Sequence, residues 1–277
     1  MAKTVGLYLS SNSLGISVAQ GKNPVSLKNF EFSSLNEDKS EVVSEDVRWE
    51  ALINKALREA SAECDSVYLS LVDKDFIFRS LEMPLMRKQE TESSIVYEVE
   101  KYIPFKIDEL EWAHESIRFS REKKMNVAFL GIQEKSLKRI RDILSRLSLS
   151  VTAIEPSSLS LSRAVKALRQ FSRLKDYALL DLTDTESSLT FFQNDLPVFN
   201  RSLTVNRNDN VLDINKFVES VDFSFQYFKR EYRTYKIDKL ILVGDLEAKE
   251  LANTLSSDMQ IDVQALIPQD ITNIQGT

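Results

Sequence analysis

Glycine is scarce in this chain: six residues in 277, where a usual share of roughly 7% would supply about nineteen. Phosphate cradles depend on glycine, because backbone N–H groups must close on the ligand with no Cβ in the way. Neither G-x-G-x-x-G nor G-x-x-x-x-G-K-S/T occurs, so Rossmann dinucleotide binding and P-loop chemistry are not expected. Cysteine and histidine are scarcer still. The single Cys64 excludes a disulfide within the chain and a thiolate metal cluster, and the single His114 excludes a histidine-based metal site or dyad. Basic excess is also missing, with Lys+Arg 36 against Asp+Glu 42 and a net charge of −6, which argues against nucleic acid as a partner. No apolar run approaches the ~18 residues of a membrane span and no signal-peptide core opens the sequence. The chain reads as cytosolic.

What is present is a core-forming composition, 43% hydrophobic and 28% charged, in an alternation of strand and helix patterns. Val5–Leu9 and Leu14–Val18 flank a polar turn at residues 10–13 and read as a β-hairpin. Residues 33–46 are polar and read as a loop, and 47–60 has helical spacing. Strands are expected at 67–72 and 76–81, a helix from Lys88 to Ile103 stopped by Pro104, and strands at 111–119 and 126–132. An amphipathic helix follows around Leu137, Ile140, Leu144 and Leu147, then a strand at 151–154 and a helix from Ser157 to about Phe171. A second block has strands at 178–182, 188–193 and 196–203, a long helix from Val211 to Tyr232, a strand at 240–243, a helix at 247–255 and a last strand at 261–263. Strands, helix, strands, helix, twice over, give an α/β class.

The two blocks echo one another. Residues 5–20, VGLYLSSNSLGISVAQ, align without a gap on residues 178–193, ALLDLTDTESSLTFFQ. Apolar positions coincide in both strands and polar positions in the turn. Tyr8 falls on Asp181, Ser10 on Thr183 and Gln20 on Gln193. Two related halves are one reading, and a chance likeness between two β-hairpins is the other.

Two such hairpins, with a glycine-containing strand-to-helix turn at Gly244, resemble the actin-like ATPase superfamily, whose fold is a two-half, RNase H-like α/β fold. The segment 81–112, LEMPLMRKQETESSIVYEVEKYIPFKIDELEW, narrows the likeness. A Leu-Pro segment, a Glu-rich helix, Tyr102-Ile103-Pro104-Phe105 and the acidic Glu109 resemble the PilM family of type IV pilus assembly proteins. The similarity extends to the cytoplasmic part of GspL, the type II secretion counterpart. It implies a first half at 1–73, an inserted small α/β subdomain of the kind FtsA carries at 74–147, a return to the first half at 148–175, and a second half at 176–277. Residues 270–277 resemble the short sequence that precedes the membrane helix in GspL. They suggest a fragment cut before a membrane span, or a natural short form.

The departures from the superfamily are chemical. Tyr8 and Ser10 stand where the first phosphate hairpin has Asp and Gly, Thr183 replaces the second hairpin's Gly, and Asp245 replaces the second Gly of the adenosine turn. A tyrosine cannot orient the hydration shell of Mg²⁺. Ser and Thr add a Cβ where backbone should approach phosphate. ATP hydrolysis is therefore not expected and no cofactor is required. Any weak ATP/Mg binding would use Ser11, Asn12, Asp181, Thr185 and Gly244. The resemblance implies a non-catalytic scaffold at the inner face of the bacterial inner membrane. It would link a PilN-like or GspM-like membrane protein to a secretion or assembly ATPase of the GspE or PilB kind, with a homodimer as a further state. Met86, Tyr97, Tyr102, Ile103, Phe105 and Trp112 are the candidate partner surface. The alternatives are an active actin-like ATPase and a filament-forming protein of the FtsA kind.

Other residues read as structural. Asp181, Asp184 and Glu186 crowd one turn and read as a solvated acidic turn before a cation site. His114 beside Trp112 and the idle thiol of Cys64 fit packing. Lys135, Lys138, Arg139, Arg141 and Arg146 make one helix basic, as a solvated face or as a contact for lipid headgroups or an acidic partner.

Overall fold

A computed structural model describes residues 3–20, 23–31, 44–183, 186–208, 211–232, 236–244, 247–267 and 270. Two compact units divide the chain: Met1–Asp75 with Ile132–Ser160, and Phe76–Gly131 with Leu161–Thr277.

The first unit is built on one sheet. Strands β1 (Lys3–Leu9), β2 (Ser13–Gln20) and β3 (Asn23–Glu31) form an antiparallel meander, followed by α1 (Glu45–Glu59) and β4 (Ser66–Leu71). In the second unit come β5 (Phe76–Pro84), α2 (Lys88–Val99), β6 (Leu110–Phe119) and β7 (Lys124–Gln133). The chain then returns to the first unit with α3 (Glu134–Arg146) and β8 (Ser150–Pro156). The first sheet has the order β3-β2-β1-β4-β8, with β4 parallel to both β1 and β8. Val5, Leu7, Leu14, Ile16, Val67, Leu69 and Leu71 alternate onto one buried face, and Leu52, Ile53 and Ala56 of α1 are buried with them. The helix begins at Glu45, two residues before its apolar stripe, because Glu45 and Asp46 complement the N-terminal end of its dipole. Helix α3 joins α1 through ions: Arg139 binds Glu45 (2.9 Å) and Asp46 (2.7 Å), and Arg146 binds Glu50 (2.7 Å). Arg139 and Arg146, two of the five basic residues of α3, thus have acidic partners within the chain, and the helix lies in the first unit rather than with residues 76–131.

The second unit repeats the first sheet's plan. After α4 (Ser157–Ala167) come β9 (Tyr177–Leu182), β10 (Ser187–Gln193) and β11 (Leu196–Leu203). A short pair follows, β12 (Arg207–Asn208) with β13 (Val211–Leu212). Then come α5 (Ile214–Glu231), β14 (Lys239–Val243), α6 (Glu247–Met259) and β15 (Asp262–Leu266). Sequence periodicity starts α5 at Val211. The helix begins at Ile214 because the Asp213 carboxylate accepts the Lys216 N–H at 3.3 Å as an N-cap, while Val211 pairs in a strand. The sheet order is β11-β10-β9-β14-β15, again a meander followed by two parallel strands.

The repetition extends to single residues. Every β9–β10 pair is a β1–β2 pair displaced by 173 positions, from Thr4↔Ala19 and Tyr177↔Phe192 to Leu9↔Leu14 and Leu182↔Ser187. Both meanders shift register at the same place, Val18/Ala19 and Phe191/Phe192, opposite Pro24 and Pro197. Proline supplies no N–H to the ladder and is accommodated at a bulge beside an edge.

The second sheet is buried on both faces. On one, Phe191 stacks on Phe228 at 4.2 Å and meets Phe225 at 4.8 Å, under α5. On the other, Tyr177 stacks on Phe192 at 4.8 Å, and its hydroxyl lies 2.6 Å from that of Ser162 on α4. Residues 76–131 add a separate sheet, β5-β7-β6, on which α2 buries Ile95 and Val99 with Leu81, Met83, Met125, Val127 and Phe129.

The scarcity of glycine is visible in the corners. Ser61, Lys123, Ser148, Asn194, Asp195 and Gln260 hold positive φ, where glycine would be unstrained. Glycine sits instead at close approaches: a Cβ on Gly6 would come 2.6 Å from the Ser17 hydroxyl.

Candidate functional site

The turns of the two hairpins hold the first group of candidate residues. In the first, the Ser10 N–H donates to the Ser13 carbonyl (2.9 Å), and the Ser10 Oγ accepts N–H groups from Asn12 (3.3 Å) and Ser13 (2.9 Å). In the second, the Thr183 N–H donates to the Glu186 carbonyl (3.1 Å), and Thr183 Oγ1 accepts the Glu186 N–H (3.1 Å). Its hydroxyl also donates to the Glu186 carbonyl. Each turn is closed by a side-chain hydroxyl at the position where glycine would leave the backbone open. The Ser11 hydroxyl accepts from the Lys74 ammonium at 2.5 Å. Ser11 and Asn12 are exposed on this turn.

Asp181 and Gly244 belong to the second unit, where register brings them together. Asp181 pairs with Val243, the residue before Gly244, at the C-terminal ends of two parallel strands. The Asp181 carbonyl accepts the Ser187 hydroxyl at 2.7 Å. Gly244 has a packing reason of its own: a Cβ there would lie 3.2 Å from the Leu182 carbonyl and 3.3 Å from Ala248 Cβ. Thr185, Asp184 and Asp245 lie outside the described residues, as do residues 271–277 of the GspL-like ending. Among the described residues no group of three or more His, Cys, Asp or Glu is placed to hold a metal.

The candidate partner residues separate into three kinds. Ile103 is only 8% exposed and belongs to the core of its sheet, so it offers no surface. Met86, Phe105 and Trp112 pack against that core at its margin, with Trp112 5.6 Å from the Phe129 ring. Tyr97 and Tyr102 project outward, 67% and 58% exposed. Helix α2 stops at Val99, short of Ile103, and the Tyr-Ile-Pro-Phe segment is an anchored turn. The Arg79 guanidinium donates to the Tyr102 carbonyl (2.9 Å), and Glu100 accepts the Ile107 N–H (3.3 Å). Lys101 lies 4.2 Å over the Tyr97 ring and 2.7 Å from Glu98, whose carboxylate holds the ammonium pKa above its usual value.

The first unit also holds a cavity of about 270 Å³, which no sequence motif marks. It opens beside the first hairpin turn, between α1 and α3. Leu9, Trp49, Ile53, Leu71, Ile140 and Ile143 line it with apolar surface, and Ser11, Lys74, Asp75, Ser136 and Arg139 give it a polar border. Its signal in the sequence was divided among four elements, each of which reads alone as ordinary core or surface. Arg139 is fixed at the border by its two carboxylates, and Asp46, then Glu45, raise its already high pKa. Cys64 carries no reactive thiolate: partial burial, and then Asp65, push its pKa up. His114 is half-buried with its ring 5.9 Å from Trp112. No helix among the described residues is long and apolar enough to cross a membrane.

Comparison with known proteins agrees with this architecture. Residues 9–206 match the family of the type IV pilus assembly protein PilM. No curated protein sequence matches the chain significantly. Among solved structures, the PilM–PilN type IV pilus biogenesis complex is similar with a TM-score of 0.75 at 17% identity, over 97% of this chain and 89% of that one. The cytoplasmic domain of EpsL, an inner membrane component of the Vibrio cholerae type II secretion system, gives 0.56 at 12% identity, over 87% and 82%. A Bacteroides thetaiotaomicron protein with an actin-like ATPase fold gives 0.51 at 16% identity, over 98% and 93%. These likenesses establish the fold. With the match spanning most of its length, a twice-repeated actin-like chain carrying an inserted three-stranded sheet is a member of the PilM family of type IV pilus assembly proteins.

Proposed function

We propose that this protein is a binding scaffold of a pilus or secretion platform and not a nucleotide-hydrolysing machine. One juxtaposition carries the reading. The turn where an actin-like ATPase would present amides to phosphate is closed by Ser10, and the space beside it is a cavity with one apolar wall and a polar border. Amides already bonded to a hydroxyl are poor donors to an anion, while aliphatic walls favour an apolar side chain. The occupant is a short cytoplasmic segment of a PilN-like or GspM-like membrane partner, placing apolar side chains between α1 and α3 and its backbone against the polar border. The exposed Tyr97 and Tyr102 extend the contact surface of the inserted sheet. In this reading the protein works at the cytoplasmic face of the inner membrane and holds the membrane partner near an assembly or secretion ATPase.

The test uses the whole chain with a fluorescent peptide from the cytoplasmic end of the PilN-like protein of the same genome. Saturable anisotropy is expected, weakened at least tenfold by Ser136→Arg on the cavity border. Mg-ATP should release no phosphate above the protein-free rate. Absence of peptide binding, or steady ATP turnover, would overturn the proposal.

A further inference from the structure

Helix α1 is fastened in two different ways along its length. From Trp49 onward its inner side is core, with Trp49, Leu52, Ile53 and Ala56 buried. Before Trp49 it is not: none of residues 45–48 is buried, and Val47 is 50% exposed. Arg139 of α3 holds this first turn through Glu45 and Asp46, and the three side chains are 47%, 60% and 41% exposed. Ion pairs so open to water are weak and are screened by salt. Ser44, at the N-cap, makes no side-chain bond to the helix, although a serine there commonly fastens an orphan N–H.

The loosely held turn belongs to the cavity wall. Glu45 and Arg139 both line the space, together with Trp49 and Ile53 of α1 and Ile140 and Ile143 of α3. At about 270 Å³ it is smaller than the roughly 300–1,000 Å³ of ordinary ligand sites. A peptide placing several side chains there needs a wall to move. Helix α3 is anchored by buried Leu137, Ile143 and Leu144, and α1 beyond Trp49 by its own stripe. The first hairpin turn is closed by the bonds of Ser10. The opening turn of α1 has the least to lose.

We infer that residues 45–48 are a lid on the cavity, hinged at Trp49 and shut by the Arg139 clasp, and that release of the clasp admits the occupant. The identity of that occupant rests on the peptide reading above, whereas the lid itself opens in the free protein.

The experiment is hydrogen exchange of the full chain without peptide, in low and in high salt. In a helix the amides of residues 48–51 donate to the carbonyls of 44–47, so they report the lid, and those of 55–58 serve as the internal reference. High salt should speed exchange at 48–51 several-fold and leave 55–58 unchanged. Arg139→Gln should reproduce that gain in low salt and abolish the further effect of salt. Arg146→Gln, whose partner Glu50 lies past the hinge, should change exchange at 48–51 less than twofold. In stopped flow, the PilN-like peptide should associate at least threefold faster with Arg139→Gln than with the unaltered chain. An ordinary frayed helix end would be indifferent to Arg139. Exchange at 48–51 that ignores salt and Arg139→Gln, or that rises equally with Arg146→Gln, would overturn the lid, as would unchanged association of a peptide that binds. If no peptide binds, the occupant reading falls and the exchange result alone decides the lid.

Discussion

The two sheets of this protein solve one topological problem with opposite distributions of side chains. Both run a bulged meander into two parallel strands, and both close the first turn with a hydroxyl, Ser10 or Thr183. The second sheet fills both faces with large apolar groups, including Tyr177, Leu179, Phe192 and Ile241. The first fills one face and puts Thr4, Gly6, Ala19 and the half-exposed Tyr68 at the corresponding places on the other. Turn chemistry and strand pairing are therefore enough to specify the repeated fold, while side-chain volume decides which half is solid core. The half with spare surface also contains the cavity between α1 and α3, and binding is proposed there for that reason.

The contrast can be broken most forcefully in the second sheet. Ile241→Ala should cost about 2–5 kcal/mol in urea unfolding, as large-to-small core changes do. The matching Tyr68→Ala should cost less than about 1 kcal/mol, and equal costs would erase the distinction. Next in size is an alkaline effect confined to the solid half. Burial pushes the Tyr177 hydroxyl up to about 12, so the native state retains a proton that the unfolded chain loses near pH 10. The associated stability is complete below pH 10 and falls as pH rises toward 12, by roughly 3 kcal/mol in all at 1.36 kcal/mol per unit. Urea midpoints at pH 9 and 11.5 should show this decline, and Tyr177→Phe should flatten it. Ser10→Ala and Thr183→Ala should each cost about 1 kcal/mol, and matched losses of thermal stability would support equivalent turns. Smallest is Arg146→Ala, which removes a surface ion pair with Glu50 worth no more than about 0.5 kcal/mol. That difference should disappear in high salt.

Much of this fold is legible in the amino-acid order because its strands alternate and its turns are polar. The alignment of residues 5–20 with 178–193 predicts the hairpin register that the structure shows. Continued to Pro24 and Pro197, it would also have located β3, whose segment has too weak an alternation to stand out alone. Apolar spacing extends the expected helix α2 to Ile103, yet that side chain reaches the core from a turn after the helix ends. The cavity was illegible because its walls come from distant segments. A basic helix such as α3 looks solvated until Glu45, Asp46 and Glu50 are brought to it.

Hydrogen exchange of the full chain, with and without the PilN-like peptide, tests the central claim most directly. Added protection is predicted at the β1–β2 turn and along α1 and α3, with β9, β10 and β14 unchanged. Protection concentrated on the second sheet, or none around the cavity at saturating peptide, would contradict the assignment of binding to the first half.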